Sequence, residues 1–330
     1  MSRLVLLVPA VLVLACTGDA PPLEPDLART TSASVESSFS IDLAITGDLT
    51  ESQIQLVHNA AKRWERVLAP SDPYPVEVFR PYCWSDWGVD PIYINDVIDD
   101  LLIQVRTDSI DGFNREGSTL AVAGACMIRE ERITWYLGPD VVSFQPVYGA
   151  VTLDSADVDH LEEAGLLEDV LVHEIGHTLG LGGGWNYMGF TPTFETEDRR
   201  YRVPSLILAG RPRRAYAEPQ YRILGGYADD GFGIPVDSLS GHWREAVFGD
   251  ELMTTTIRGQ GNPLSRITVG ALADLGFDVD MNAADVYRVR NPIVSTQDRG
   301  YGVSVGHDLR AGPVVVVNRH GKRVGMLSVR

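Results

Sequence analysis

Leu171-Val172-His173-Glu174-Ile175-Gly176-His177-Thr178-Leu179-Gly180 is the stretch on which the reading of this chain turns. Residues four apart on an α-helix stand one turn above each other, so His173 and His177 can aim both imidazoles at one cation while Glu174 projects beside it. Two neutral imidazoles hold zinc without cancelling its charge, which leaves the ion able to acidify a bound water toward a pKa of roughly 7 and to polarise a carbonyl. Glu174 is placed to take that water's proton and pass it to a leaving amine. The pattern implies one catalytic Zn2+ ion, with His173 and His177 as ligands and Glu174 as general base.

Hydrophobic spacing supplies the setting. Leu167, Val170, Leu171 and Ile175 recur at helical intervals, predicting a helix over Leu166 to Leu179 that ends at Gly180, a residue suited to the left-handed C-terminal cap. Upstream, Thr50 and Gln53 have capping-box spacing and precede a stripe of Ile54, Val57, Ala61, Trp64 and Leu68, a helix that should pack on a sheet. Phe39 to Ile45 alternates as a half-buried strand does, and Leu101 to Val105, Leu120 to Ala125, Ile133 to Leu137 and Ala150 to Leu153 read as further strands. A third helix is expected over Ser265 to Leu275. The residues from 182 to 241 are too rich in Gly, Pro and Arg to be read as regular structure. Gly302 to Val305 and Pro313 to Val317 read as strands of a small C-terminal extension over 286–330, closed around Arg319-His320-Gly321 and without an assigned task. A helix, then strands, then the motif helix predicts an α+β fold.

The formal net charge of -17 over 330 residues makes attachment to nucleic acid phosphates repulsive, and no nucleic-acid partner is expected. Arg3 followed by the apolar run Leu4 to Ala15 reads as an export signal too short to span a bilayer. Val13-Leu14-Ala15-Cys16 resembles the lipobox of bacterial lipoproteins, which implies a signal peptide over 1–15, lipid attachment at Cys16, and a membrane-tethered protein of the bacterial envelope, at the outer membrane or cell surface; the alternative is a soluble protein released after Ala20. Residues 16–38 are Pro-, Ser- and Thr-rich and read as a flexible linker. Cys83 and Cys126 form an even pair in an oxidising compartment, so a disulfide between them is expected over two buried thiols.

A catalytic zinc needs a third protein ligand and an open position. In the usual metzincin run that ligand falls at position 183, which here is Gly183. Val172 to Gly180 nevertheless resembles the zinc helix of the leishmanolysin-like metallopeptidases, a metzincin family that inserts a long segment before its third histidine, and Gly241-His242-Trp243-Arg244-Glu245 resembles the stretch carrying that displaced ligand. Glu251-Leu252-Met253-Thr254 resembles the family's Met-turn, and Ser265 to Thr268 and Leu272 to Phe277 resemble the helix and turn that follow. The resemblance implies a metzincin-like α+β fold with a twisted mixed sheet, an active-site helix and an irregular C-terminal subdomain, a catalytic domain over 39–285, an insert over 182–241, His242 as third zinc ligand, Met253 as an apolar floor beneath the metal, and a monomeric endopeptidase acting on a protein or peptide substrate.

Two other readings stay open at this stage. Glu195, Glu197 or Glu218 could supply the third ligand from a downstream helix, as in gluzincins, although the Pro- and Gly-broken sequence there argues against a helix. The chain could also be a surface binding protein that keeps zinc for stability, a reading that an unliganded Glu174 disfavours. Calcium at Asp154, Asp157 and Asp159 is a weaker option, because no EF-hand-like spacing is present. Trp185 and Trp243 read as core aromatics, and Arg199, Arg200, Arg202, Arg211, Arg213 and Arg214 as a solvated loop. The strand edge that would receive a substrate is sought at Ala150 to Leu153.

Overall fold

The computed structural model describes residues 39–69, 75–78, 83, 96–113, 119–130, 143–191, 199–204, 207–208, 211–212, 215–226, 233–237, 241–289, 302–310 and 312–327. The signal peptide, the linker with Cys16, the strand expected at Ile133 to Leu137, and Glu195, Glu197, Arg213 and Arg214 lie outside the described residues.

The fold is mixed α/β around one mixed sheet. Its strands are β1 (Ile41–Thr46), β2 (Leu101–Asp108), β3 (Ala121–Arg129), β4 (Pro146–Asp154), β5 (Val314–Val317) and β6 (Arg323–Leu327), in the spatial order β1-β2-β4-β3-β5-β6. β1, β2 and β4 run parallel, β3 is antiparallel to β4, β5 is parallel to β3, and β6 returns antiparallel on β5. Three helices pack against this frame: α1 (Glu51–Glu65), α2 (Leu167–Thr178) and α3 (Arg266–Leu275).

α1 starts where its sequence says. Thr50 Oγ1 accepts the Gln53 amide at 3.2 Å and Gln53 Oε1 accepts the Thr50 amide at 2.9 Å, so two otherwise orphaned donors are satisfied. Its buried face carries Val57, Ala60, Ala61 and Trp64 against α2, and Trp64 Nε1 donates to the Val172 carbonyl at 2.8 Å. α2 is enclosed from Val170 to Thr178. Two glycines permit this. A Cβ on Gly149 of β4 would stand 2.7 Å from Thr178 Cβ, and one on Gly176 would stand 2.9 Å from both Met253 Sδ and Trp64 Cζ2. Helix and sheet, and helix and Met253 loop, therefore approach more closely than any side chain would allow.

Two expectations are corrected. β4 lies between β2 and β3, so Ala150 to Leu153 is interior to the sheet and offers no free edge; its unbroken burial from Pro146 to Asp154 marks a central strand. The C-terminal hairpin is not a separate extension. Val314, Val315 and Val317 are buried, and that apolar run joins the main sheet by pairing with Met127–Arg129 of β3, while the turn over 318–321 leads to β6. A third difference concerns the insert. The stretch Ala217–Ile223 forms a helix despite Pro219, because the proline sits in the first turn, where its missing N–H leaves no hydrogen bond unmade.

Candidate metal centre

α2 carries His173 and His177 on one face, one turn apart, both buried. The chain then turns back at Gly180 (φ 102°) and Gly182 (φ 77°). A Cβ on Gly182 would stand 2.6 Å from the Gly241 carbonyl oxygen, so the turn after the helix touches the backbone just before His242. Trp243, next along, is fixed on both sides. Its amide donates to the Met253 carbonyl at 2.9 Å, its indole Nε1 donates to Thr268 Oγ1 at 2.8 Å, and its ring sits 4.5 Å from that of Trp185. Sixty residues of insert thus close onto one point, and His242 is delivered to the other two histidines.

The three Nε2 atoms converge. His173 and His177 are 3.0 Å apart, and each lies 3.2 Å from His242. The far nitrogens explain the orientation: His173 Nδ1 faces the Leu252 carbonyl at 2.6 Å and His177 Nδ1 faces the Leu181 carbonyl at 3.0 Å. A carbonyl only accepts, so both Nδ1 atoms carry the proton and both Nε2 atoms present lone pairs. Burial reinforces this at His173, whose pKa falls to about 4, leaving a neutral ring at neutral pH. Lone pairs 3.0 Å apart repel unless a cation lies between them.

A fourth group completes the cluster. Asp308 Oδ2 lies 3.0 Å from His173 Nε2 and 3.2 Å from His242 Nε2, and Oδ1 lies 3.6 Å from His177 Nε2. Ligand atoms arranged tetrahedrally at the ~2.0–2.1 Å usual for zinc would be separated by roughly 3.3–3.4 Å, close to these spacings. His173, His177, His242 and Asp308 are all buried, offer ligand atoms within 4.8 Å of one another, and could hold a metal ion. Burial alone would raise the Asp308 carboxyl, but the adjacent His242 prevails and holds it well below the usual range. Asp308 carries no signal in the sequence: it is one of 45 acidic residues, at no motif spacing and 66 positions beyond His242.

Glu174 is wholly buried, and neither of its carboxylate oxygens has a hydrogen-bond partner among the described residues. Burial first, and the nearby Asp308 carboxylate second, raise its pKa well above the ordinary glutamate value. Such a group is unfavourable to folding unless it serves the site.

Met253 is fully buried beneath α2 in contact range of Gly176. Its turn is pinned by Glu251, a buried carboxylate that accepts from the Met253 amide at 2.7 Å, the Ser265 amide at 3.2 Å, Ser265 Oγ at 2.7 Å and Thr268 Oγ1. No local sequence pattern marks this network, although Ser265 stands at the start of the expected third helix, where its hydroxyl caps α3.

The remaining candidates fall elsewhere. Glu218 pairs with Arg222 at 2.6 Å on the surface of its own short helix and takes no part in the cluster. Asp154 accepts the amides of Asp111, Gly112 and Ala156, and among the described residues the three-histidine cluster with Asp308 is the one group of acidic, histidine or cysteine side chains arranged to hold a cation. Cys83 and Cys126 are joined as a disulfide, with Cα atoms 4.8 Å apart, on the face of the sheet away from α2. Compared with known proteins, the chain matches no family model and no curated protein at a significant level.

Proposed function

We propose that this chain is a zinc-dependent endopeptidase with a metzincin-like fold. The observation that carries the reading is the convergence of three imidazole Nε2 atoms on one point, with the unpartnered Glu174 carboxylate buried beside them. Three imidazole nitrogens and a carboxylate suit a borderline divalent cation, and the helical spacing of His173 and His177 suits zinc. Zinc, when bound, acidifies water and polarises a carbonyl. The chain's own residues supply the rest. Glu174, whose raised proton affinity follows from burial, accepts a proton from the attacking water and delivers it to the amine that leaves. The Leu252 and Leu181 carbonyls fix the tautomers and planes of His173 and His177, and Met253 with Trp64 sets the depth of α2 beneath them.

One observation favours a second reading, a zinc-stabilised binding protein without turnover: Asp308 fills the fourth position, as ligands do in structural sites. Glu174 weighs against it. A structural site gains nothing from a second buried carboxylate that no donor among the described residues satisfies.

The test is metal content and casein cleavage. The purified chain should hold one zinc ion; Glu174→Ala should keep the ion and lose all cleavage, while His242→Ala should lose both. Zinc and cleavage retained in His242→Ala would refute the ligand set. Export and lipid anchoring at Cys16 belong to the same reading, supported by the lipobox-like Val13 to Cys16. Cys16→Ser should move the protein from the membrane fraction to the soluble one, and unchanged fractionation would remove the anchor.

A further inference from the structure

The stretch from Gly302 to Arg310 crosses the metal centre and is attached on both sides of it. Val303–Ser304 pair antiparallel with Thr256–Ile257, just after the Met253 turn, and the Val305 amide donates to the Thr255 carbonyl at 3.0 Å. Three residues later the chain reaches the sheet, where the Ala123 amide of β3 donates to the Asp308 carbonyl at 2.7 Å and the Arg310 amide donates to the Ala123 carbonyl at 2.9 Å. Between these two attachments the Asp308 side chain enters the cluster of imidazoles. Beyond them β5 covers β3 from Met127 to Arg129.

Glycines line the path. A Cβ on Gly241 would stand 2.0 Å from Leu309 Cδ1, and one on Gly124 would stand 3.1 Å from Arg310 Cβ. Leu309, Arg310 and Val314 also wall a small cavity beside His177, shared with Phe144, Gly180 and Tyr187. Tyr187 donates its hydroxyl to the Gly312 carbonyl at 2.8 Å. The strand edge nearest the metal ligands and the fourth position of the cluster are therefore both taken by one segment of the same chain, which also lines the adjoining cavity.

We infer that Gly302 to Arg310 is a built-in inhibitor of the site, holding the peptidase latent by placing the Asp308 carboxylate where water and the substrate carbonyl must go. The inference rests on the zinc peptidase reading and adds its regulation. An extended peptide needs a free strand edge to dock on, and here β3 gives its amide and carbonyl at Ala123 to Asp308 and Arg310. A water activated for attack needs an open coordination position, and an anionic fourth ligand both removes that position and offsets part of the cation's charge. Activity requires Asp308 to withdraw, by movement or cutting of the segment, while His173, His177 and His242 stay in place.

The experiment uses the full chain, zinc-loaded, as wild type, Asp308→Ala and Asp308→Asn, with acetohydroxamate as a small probe of the fourth position. Metal content, acetohydroxamate affinity by calorimetry and casein cleavage are measured together. Both variants should keep one zinc ion, bind acetohydroxamate at least tenfold more tightly than wild type, and cleave casein at least tenfold faster. Loss of the ion from either variant would make Asp308 a structural ligand and overturn the inference, as would unchanged affinity and cleavage with the ion retained. Asp308→Asn keeps the side chain's shape should Asp308→Ala fold poorly. In wild type, saturating acetohydroxamate should speed amide hydrogen exchange at residues 308–310 by tenfold or more; binding without that change also overturns it. Tighter acetohydroxamate binding in variants that cleave nothing would leave the inhibitory segment standing and defeat the peptidase reading instead.

Discussion

Replacing Glu251 by Ala should destabilise the fold and loosen the metal centre together, although Glu251 touches no ligand. Its carboxylate gathers four donors: the Met253 and Ser265 amides and the Ser265 and Thr268 hydroxyls. The two hydroxyls can rotate toward other acceptors, whereas the two amides are held by the turn and by the start of α3. Each buried N–H left without a partner costs about 1–3 kcal/mol, so the pair, with the void left by the side chain, amounts to roughly 3–5 kcal/mol. That is a large part of the ~5–15 kcal/mol available to a typical domain. The effect then reaches the site through two residues: Leu252, whose carbonyl orients His173, and Thr268, which accepts from Trp243 beside His242. Losing such an orienting partner lowers metal affinity by ~10–100-fold. Urea unfolding of the metal-free chain isolates the stability term from the contribution of bound metal, and competition with a chelator measures affinity. Glu251→Gln, which keeps one acceptor oxygen and the side-chain volume, should fall between. A Glu251→Ala chain that unfolds at the wild-type urea midpoint and holds zinc as tightly would refute the reasoning.

Other expected outcomes follow from the same contacts. Gly182→Ala, at φ 77° and with its Cβ 2.6 Å from the Gly241 oxygen, should lower stability by about 2 kcal/mol or more and weaken zinc binding, read by thermal unfolding and chelator competition. Met253→Leu, close in volume, should cost less than ~1.5 kcal/mol, and Met253→Ala about 2–5 kcal/mol, by urea unfolding. The metal-free chain should lose stability on acidification: His173 is depressed to about 4 when folded against roughly 6.5 unfolded, so the unfolded chain binds the proton first. Its stabilising contribution is present above pH ~6.5 and disappears as pH falls toward 4, on the order of 3 kcal/mol, and His173→Asn should flatten that part of the pH profile.

What the sequence disclosed and what it withheld divide along physical lines. Thr50 with Gln53, the apolar spacing of α1 and α2, and His173 with His177 are local patterns, in which the residues that interact lie three or four positions apart. His242 had no local signal and came into view only through a resemblance extending from Gly241 to Glu245. Asp308 had neither. Its role depends on a strand pairing between residues more than 180 positions apart, Ala123 with Leu309, and nothing in the spacing of either residue specifies the partner. A second non-local pairing, Val315–Val317 with Met127–Arg129, makes an apparent C-terminal appendage the last two strands of the sheet, and β4 lies inside the sheet by pairing with β2 and β3. The helix Ala217–Ile223 was missed because Pro219 reads as a breaker wherever its position within a turn is unknown.

The account depends most directly on the metal and its ligands. Elemental analysis of the full chain, followed by X-ray absorption at the zinc edge, should find one zinc ion per chain with three imidazole nitrogens and one carboxylate oxygen in its first coordination sphere, and should find no bound ion in His242→Ala. A chain that takes up no zinc, or whose ion is bound by fewer than three imidazoles, would contradict it.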